Sequence, residues 1–284
     1  MDTTIETLVK HAKEGDKDAL EELIRRIQDR VYGLAIRMLY HPEDAEDAMQ
    51  EILVKIITQL DSFREESAFT TWVYRIASNH LLTFQKHRTE RSKITFTFEN
   101  YERLVDRLEG IASTAPLQPE QRLIVEEVMI SCMQGLLRCL DRDLRIAYIL
   151  GEISKISSDK AAFILDITPT AFRKRLSRAR TRLRNFMGKK CSLVNPENPC
   201  QCARHVTLAV ETGWVDPEKP KFAGHLCYVR ADMKAVNRLQ IMDEIERMAV
   251  LFRSHPEYAA PVMFVEGLRE MLDSGKFKMF GEWQ

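Results

Sequence analysis

The sequence has no net charge: 42 Lys and Arg balance 42 Asp and Glu. Total charge therefore says nothing about partners, and any electrostatic role depends on how the charges are distributed. No run is long and apolar enough to span a bilayer, so no membrane partner is expected. The opening Met1-Asp-Thr-Thr-Ile5 lacks the basic start and apolar stretch of a signal peptide, which points to the cytoplasm. There is no internal repeat and no low-complexity segment. In a reducing compartment the six Cys argue against a disulfide scaffold and for buried thiols or metal ligands. What is present is a 45% hydrophobic content, enough for cores, in a 284-residue chain whose length suggests two or three domains.

Charge segregates most clearly after Thr168. From Arg173 to Lys190 there are nine Lys or Arg and no acid. Phe172, Leu176, Ala179, Leu183 and Phe186 recur at steps of four and three, so they share one face of a helix. Thr168 is a good N-cap, and Pro169 fits the first helical position, where its missing N–H costs nothing. Upstream, Ser157 to Leu165 reads as a short capped helix, and Asp166-Ile167-Thr168 makes a tight connection. Helix, short turn and capped second helix form the helix-turn-helix pattern, whose second helix enters the major groove by its N-terminal residues. Thr170, Arg173 and Lys174 are thus candidate base readers; Arg175, Arg178, Arg180 and Arg182 are candidate phosphate contacts. The alternative is an ordinary amphipathic helix with a hydrated basic face.

Residues 5 to 88 read as nearly continuous helix with breaks at Gly15-Asp16 and His41-Pro42. In the third helix Ala45, Ala48, Ile52, Ile56 and Leu60 face inward, while five acids fall between Glu43 and Glu51. The first-turn acids suit the helix dipole. Asp47 and Glu51 lie beyond that turn, beside Gln50, and would suit a basic partner. After a polar loop, the segment from Phe69 to Arg88 interleaves Phe69, Trp72 and Tyr74 with Arg75, Asn79, Lys86, His87 and Arg88. Aromatics can stack on unpaired bases while nearby cations hold the backbone. Trp72, Val73, Ile76 and Leu81 could equally be core.

These residues carry a family resemblance. Asp44-Ala-Glu-Asp-Ala-Met-Gln-Glu51, Phe63-Arg64 and Phe69-Thr-Thr-Trp-Val-Tyr-Arg-Ile-Ala-Ser-Asn79 resemble region two of bacterial RNA polymerase sigma factors. The stretch from Leu140 to Phe186 resembles region four. The order of the two, with no domain between them, looks like the extracytoplasmic-function (ECF) class. The resemblance implies an all-α fold: two small helical domains joined by a flexible linker, followed here by a mostly helical C-terminal extension. It implies core RNA polymerase and promoter DNA as partners, with an anti-sigma factor as a further candidate. Asp44, Asp47, Gln50 and Glu51 match the polymerase-binding surface. Phe63, Arg64 and Ser67 match the loop that captures a flipped base of the minus-ten element, and Trp72, Arg75 and Asn79 match the helix beside the melted strand. Thr170, Arg173 and Lys174, supported by Arg175 and Arg178, match the minus-thirty-five contacts. Two departures stand out: Asp166 replaces the usual turn Gly, although Asp tolerates left-handed geometry, and Ser158 replaces an aromatic.

The expected divisions are 1–90 for region two, 91–120 for the linker, 121–188 for region four and 189–284 for the extension. Ala112-Ser-Thr-Ala-Pro-Leu-Gln-Pro119 has linker composition. Cys132 and Cys139, two turns apart on an apolar helix face, read as small buried hydrophobes. The extension opens on Cys191, Cys200, Cys202 and His205, a candidate zinc-ligand set because zinc favours four such donors in a closed tetrahedron. Its Cys-x8-Cys-x-Cys-x2-His spacing is not a common finger pattern, and His225 or Cys227 could substitute for one ligand. Reduced thiols in a structured loop, or a redox disulfide, are the alternatives. Two helical stripes follow, Val236 to Phe252 and, after Pro261, Phe264 to Leu272.

Three functions compete. The leading one is a promoter-specificity subunit that melts DNA by binding energy, is no enzyme, requires no cofactor and carries a regulatory extension. A stand-alone helix-turn-helix regulator would need no acidic partner surface and would usually need a dimer interface. A metal-dependent nucleic-acid enzyme would need a His-x-Glu with Cys pairs, or a carboxylate cluster beside a basic groove, and neither is evident.

Overall fold

The computed structural model describes residues 3–84, 96–109, 122–222, 244–253, 258–260 and 267. Among them the protein is all-α, and its one β pairing is an isolated parallel bridge between Cys191 and Cys200. No helix among them is long and apolar enough to cross a membrane. The chain divides into two compact units. The first is Met1–Gln85 with Phe163–Asp166 and Ala259–Gln284; the second is Lys86–Ala162 with Ile167–Tyr258.

In the first unit α1 (Ile5–Lys13) ends before Gly15, whose φ of 93° makes the turn. Asp16 then caps α2 (Lys17–Leu39) by accepting from Ala19 N–H. Tyr40 turns the chain in a left-handed conformation, and Pro42 opens α3 (Pro42–Thr58) at the position where proline costs least. A 3-10 turn (Leu60–Ser62) and a loop lead to α4 (Phe69–Thr83). α2 is the central helix, packing on α1, α3 and α4. Leu20, Leu23, Ile24, Ile27 and Val31 meet Ala45, Ala48, Ile52 and Ile56 in a dry core, as the helical stripes predict. Late in the chain, Ala260 N–H donates to Asp29 Oδ1 at 2.8 Å.

The second unit departs from the expected divisions. The stretch assigned to a flexible linker contains α5 (Phe98–Glu109), which packs on the basic helix through Phe98 and Tyr101 against Phe186. Its Tyr101 also lies on α6 (Arg122–Arg138) where that helix has Gly135: a β-carbon there would meet the Tyr101 hydroxyl at 1.8 Å. α7 (Arg142–Tyr148) runs into a π-helical turn, Ile149–Ile153. Then come α8 (Ser158–Leu165) and α9 (Pro169–Lys190). Gly151 lets the π turn approach α9, since a β-carbon would lie 2.8 Å from Leu176.

Nor does the stretch expected as an extension stand apart from the helices before it. A 3-10 turn (Cys202–His205) leads into α10 (Val206–Glu211), and Val206, Ala209 and Val215 share a core with Val128 of α6. Buried Glu127 of α6 accepts from the backbone N–H groups of Lys221 and Phe222. Gln134 donates to the Tyr258 hydroxyl at 2.7 Å. α11 (Glu244–Arg253) packs on α9 and the π turn, with Phe252 against Tyr148. This helix covers the later part of the first predicted stripe; Val236, Leu239 and Met242, and the second stripe Phe264, Val265, Leu268, Met271 and Leu272, lie outside the described residues.

Candidate nucleic-acid interface

The turn between α8 and α9 has the geometry the sequence anticipates. Asp166 adopts a φ of 54° in place of glycine, and Ile167 N–H closes on Ala162 O. Thr168 Oγ1 accepts from Ala171 N–H at 3.1 Å, capping α9. Phe172, Leu176, Ala179, Leu183 and Phe186 are all buried. Thr170, Arg173, Lys174 and Arg178 are exposed, and Arg173 donates to Thr170 Oγ1.

Three arginines assigned to phosphate have carboxylate partners instead. Arg175 pairs with Asp143 at 3.0 Å and Arg182 with Asp141 at 3.0 Å, while Arg180 grips the nearly buried Glu152. The arrangement has a physical reason. Asp141 at the start of α7, Asp143 within it and Glu152 of the π turn lie along the flank of α9 and pair with these guanidinium groups, the Arg182 pair remaining half exposed. Arg175, offered by the sequence as a DNA contact, is held by Asp143 in the DNA-free chain. Arg184 and Lys189, not singled out from the sequence, are exposed on the same helix.

In the first unit Phe63, Arg64, Ser67, Trp72, Arg75 and Asn79 line one groove. Arg64 and Asn79 are exposed; Ser67, Trp72 and Arg75 are partly so. Phe63 is buried, packed on Phe69 at 5.3 Å and Trp72 at 5.4 Å. Lys13 anchors it by donating to its carbonyl at 2.5 Å. Phe63 is therefore the floor of the groove, not a ring free to stack. Lys86, His87 and Arg88 lie outside the described residues.

On α3, Asp47, Gln50 and Glu51 are exposed, as expected of a partner surface. Asp44 is only 7% exposed, which removes it from that surface. First-turn carboxylates can fold back over the helix N-terminus, and burial there is consistent with that preference. His80 of α4 is the residue missed from the sequence. It is buried, with Nδ1 2.6 Å from Lys55 Nζ and Nε2 3.5 Å from Glu51 Oε2. Burial lowers its pKa below the usual 6.5; Lys55 adds to that and Glu51 opposes it. A neutral ring accepting at Nδ1 carries its proton on Nε2, facing Glu51.

The cysteine turn is ordered by its backbone. Cys191 ends α9, Ser192 N–H donates to Cys200 O, and Cys200 N–H donates to Lys190 O. Asn198 Nδ2 donates to the carbonyls of Met187, Gly188 and Cys191. Cys200 Sγ lies 3.4 Å from His205 Nε2, and the buried His205 Nδ1 has no hydrogen-bond partner. Cys132, read from the sequence as an inert hydrophobe, lies within electrostatic reach of Cys191, Cys200 and Cys202. No three Cys, His, Asp or Glu side chains among the described residues already stand in a metal-holding arrangement. His225 and Cys227 lie outside the described residues.

Comparison with known proteins places the chain in a family. The Sigma-70 region 2 family matches residues 23–91. The chain is 34% identical over 187 residues to the ECF RNA polymerase sigma-E factor of Escherichia coli K12, covering 64% of this chain and 93% of that protein. It is 28% identical over 173 residues to the RNA polymerase sigma-H factor of Pseudomonas aeruginosa, covering 61% and 88%. Among solved structures it is similar to the sigma factor RpoE of Bartonella quintana, crystallised with the anti-sigma factor NepR: 25% identity, 61% of this chain, 98% of that one, TM-score 0.42. With 34% identity across 93% of an ECF sigma factor, this chain belongs to the ECF family of RNA polymerase sigma factors.

Proposed function

We propose that α3 docks the chain on core RNA polymerase through Asp47, Gln50 and Glu51, and that the groove floored by Phe63 holds unpaired minus-ten bases. Arg64, Ser67, Trp72, Arg75 and Asn79 supply its donors and stacking surface. Thr170, Arg173 and Lys174 read the minus-thirty-five duplex, with Arg178 on phosphate. No reaction is catalysed: promoter opening draws on the binding free energy of bases captured in the groove. On this reading the chain acts in the cytoplasm, where an anti-sigma factor would compete for the same surfaces. The carrying observation is that one chain has both an exposed acidic face beside an aromatic groove and a capped basic reading helix.

Run-off transcription with purified core polymerase tests the assignment. Asp47→Lys combined with Glu51→Lys should abolish polymerase capture while leaving duplex binding intact. Arg173→Ala should do the converse, weakening duplex binding by about 1–3 kcal/mol and relaxing its sequence preference. Polymerase capture that survives the double charge reversal would refute the docking face. A chain that binds duplex but supports no run-off transcript would instead be a free-standing regulator.

A further inference from the structure

Two cysteines face each other across the turn that ends α9. Ser192 N–H donates to Cys200 O at 3.1 Å, and Cys200 N–H donates to Lys190 O at 3.1 Å. Those two bonds make the parallel bridge between Cys191 and Cys200. Bridged chains run about 4.8 Å apart, and directly paired residues send their side chains to the same face. A disulfide spans α-carbons about 4.4–6.8 Å apart, so side-chain rotation alone suffices to join this pair. We propose that Cys191 and Cys200 are a reversible oxidation site, which closes to a disulfide on reaction with a hydroperoxide.

The surroundings give the two thiols different parts. Cys200 is partly exposed, and its sulfur lies 3.4 Å from His205 Nε2. His205 is 4% exposed, so packing fixes the ring against that sulfur. Cys200 is thus the thiol that meets the oxidant, and the imidazole accepts its proton. Cys191 is the resolving thiol, held within one short loop of Cys200. Asn198 keeps that loop closed, its Nδ2 donating to the carbonyls of Met187, Gly188 and Cys191. Cys202, two residues on, packs instead against the core of Val128 and Val206. In the first step the Cys200 sulfur attacks the outer peroxide oxygen: an S–O bond forms and the O–O bond breaks. The departing alkoxide or hydroxide takes the proton from His205, leaving a sulfenic acid. The Cys191 sulfur then attacks Cys200 Sγ: the S–S bond forms, the S–O bond breaks, and water leaves with the Cys191 proton. Two thiols are oxidised and one hydroperoxide is reduced. Exchange with a dithiol reverses the bond, as a reducing compartment requires of a transient disulfide. Because the backbones are already bridged, closure staples the C-terminal cap of α9 without moving the helix.

The test uses the full chain, purified with reductant and chelator, freed of both and treated with hydrogen peroxide. Of its six Cys, two should lose their thiols, and peptide mapping should find Cys191 joined to Cys200. Dithiothreitol should restore both, and the helix content should stay the same throughout. Cys191→Ser should accumulate a sulfenic acid at Cys200, trapped by dimedone, whereas Cys200→Ser should yield none at Cys191. His205→Gln should oxidise at least about tenfold more slowly, with the reduced form melting as the wild type does. If a variant fails to fold, the cross-link map of the wild type still decides the pair. A cross-link to any other Cys, a disulfide between two chains, or survival of all the thiols would each overturn the proposal. Sulfenic acid trapped at Cys191 in Cys200→Ser would overturn the order of attack.

Discussion

At His80 a buried imidazole meets two charges of opposite sign, Lys55 on one nitrogen and Glu51 beyond the other. Its pKa in the fold lies below the unfolded 6.5, so the unfolded chain takes up the proton first as pH falls. More protons on the unfolded state mean that stability rises with pH in this window. The stabilisation is present above pH 6.5 and drains away below it. Thermal unfolding of wild type and His80→Gln, followed from about pH 7.5 to 5.5, should show a steeper loss in the wild type. Equal slopes would mean that His80 does not titrate across folding. Because His80 also sets the proton that faces Glu51, the same titration would be felt on the proposed docking face. Asp44 and Asp47 show how finely that face is divided: three positions apart, one is buried and the other exposed.

Among the elements, Arg145 of α7 ties that helix to the end of α6. Arg145 donates to the carbonyls of Leu137 and Leu140 at 2.8 Å each, and of Arg138 at 3.2 Å, so it closes the C-terminal turn of α6 from outside. Arg145→Met keeps the volume but leaves those acceptors without their donor in a buried place. It should cost about 2–3 kcal/mol in denaturant unfolding, while Arg142→Met on the same helix should cost less than about 0.5. The stripes of α1 to α4 and α9 were legible in the sequence because each helix buries one face at a fixed period. α5 carries the same signal in Phe98, Tyr101, Val105 and Leu108, spaced three and four apart, but the linker-like residues that follow it obscured it. The Asp143 partner of Arg175 was hidden for a different reason: an arginine on a basic helix looks the same whether its acid lies across an interhelical gap or on a DNA backbone. Cys132 looked inert because its neighbours come from the other end of the domain.

For the whole molecule, the residues after α9 are part of the core of the second unit. Phe222 and Tyr258 are fully buried, and Glu127 holds the backbone at Phe222. Ending the chain at Met187 strips these partners from α6, so its loss should lower the stability of that unit by at least about 3 kcal/mol. Limited proteolysis would show it as new cleavage within α6; an unchanged pattern and melting temperature would mean that the extension is dispensable to the fold.

The carboxylate partners of α9 have a consequence for how binding responds to salt. Of the nine cations between Arg173 and Lys190, Arg175, Arg180, Arg182 and Lys190 are already matched to acids within the same unit. Only the remaining five, Arg173, Lys174, Arg178, Arg184 and Lys189, can displace condensed counterions when the helix meets a duplex. A plot of log affinity against log salt should thus have a slope no steeper than about −4.5, against about −8 for nine contacts. Charge reversal at Asp141 or Asp143 would release an arginine and steepen it by up to about one. The acids of α7 therefore set how far ionic strength governs the grip of this helix on DNA.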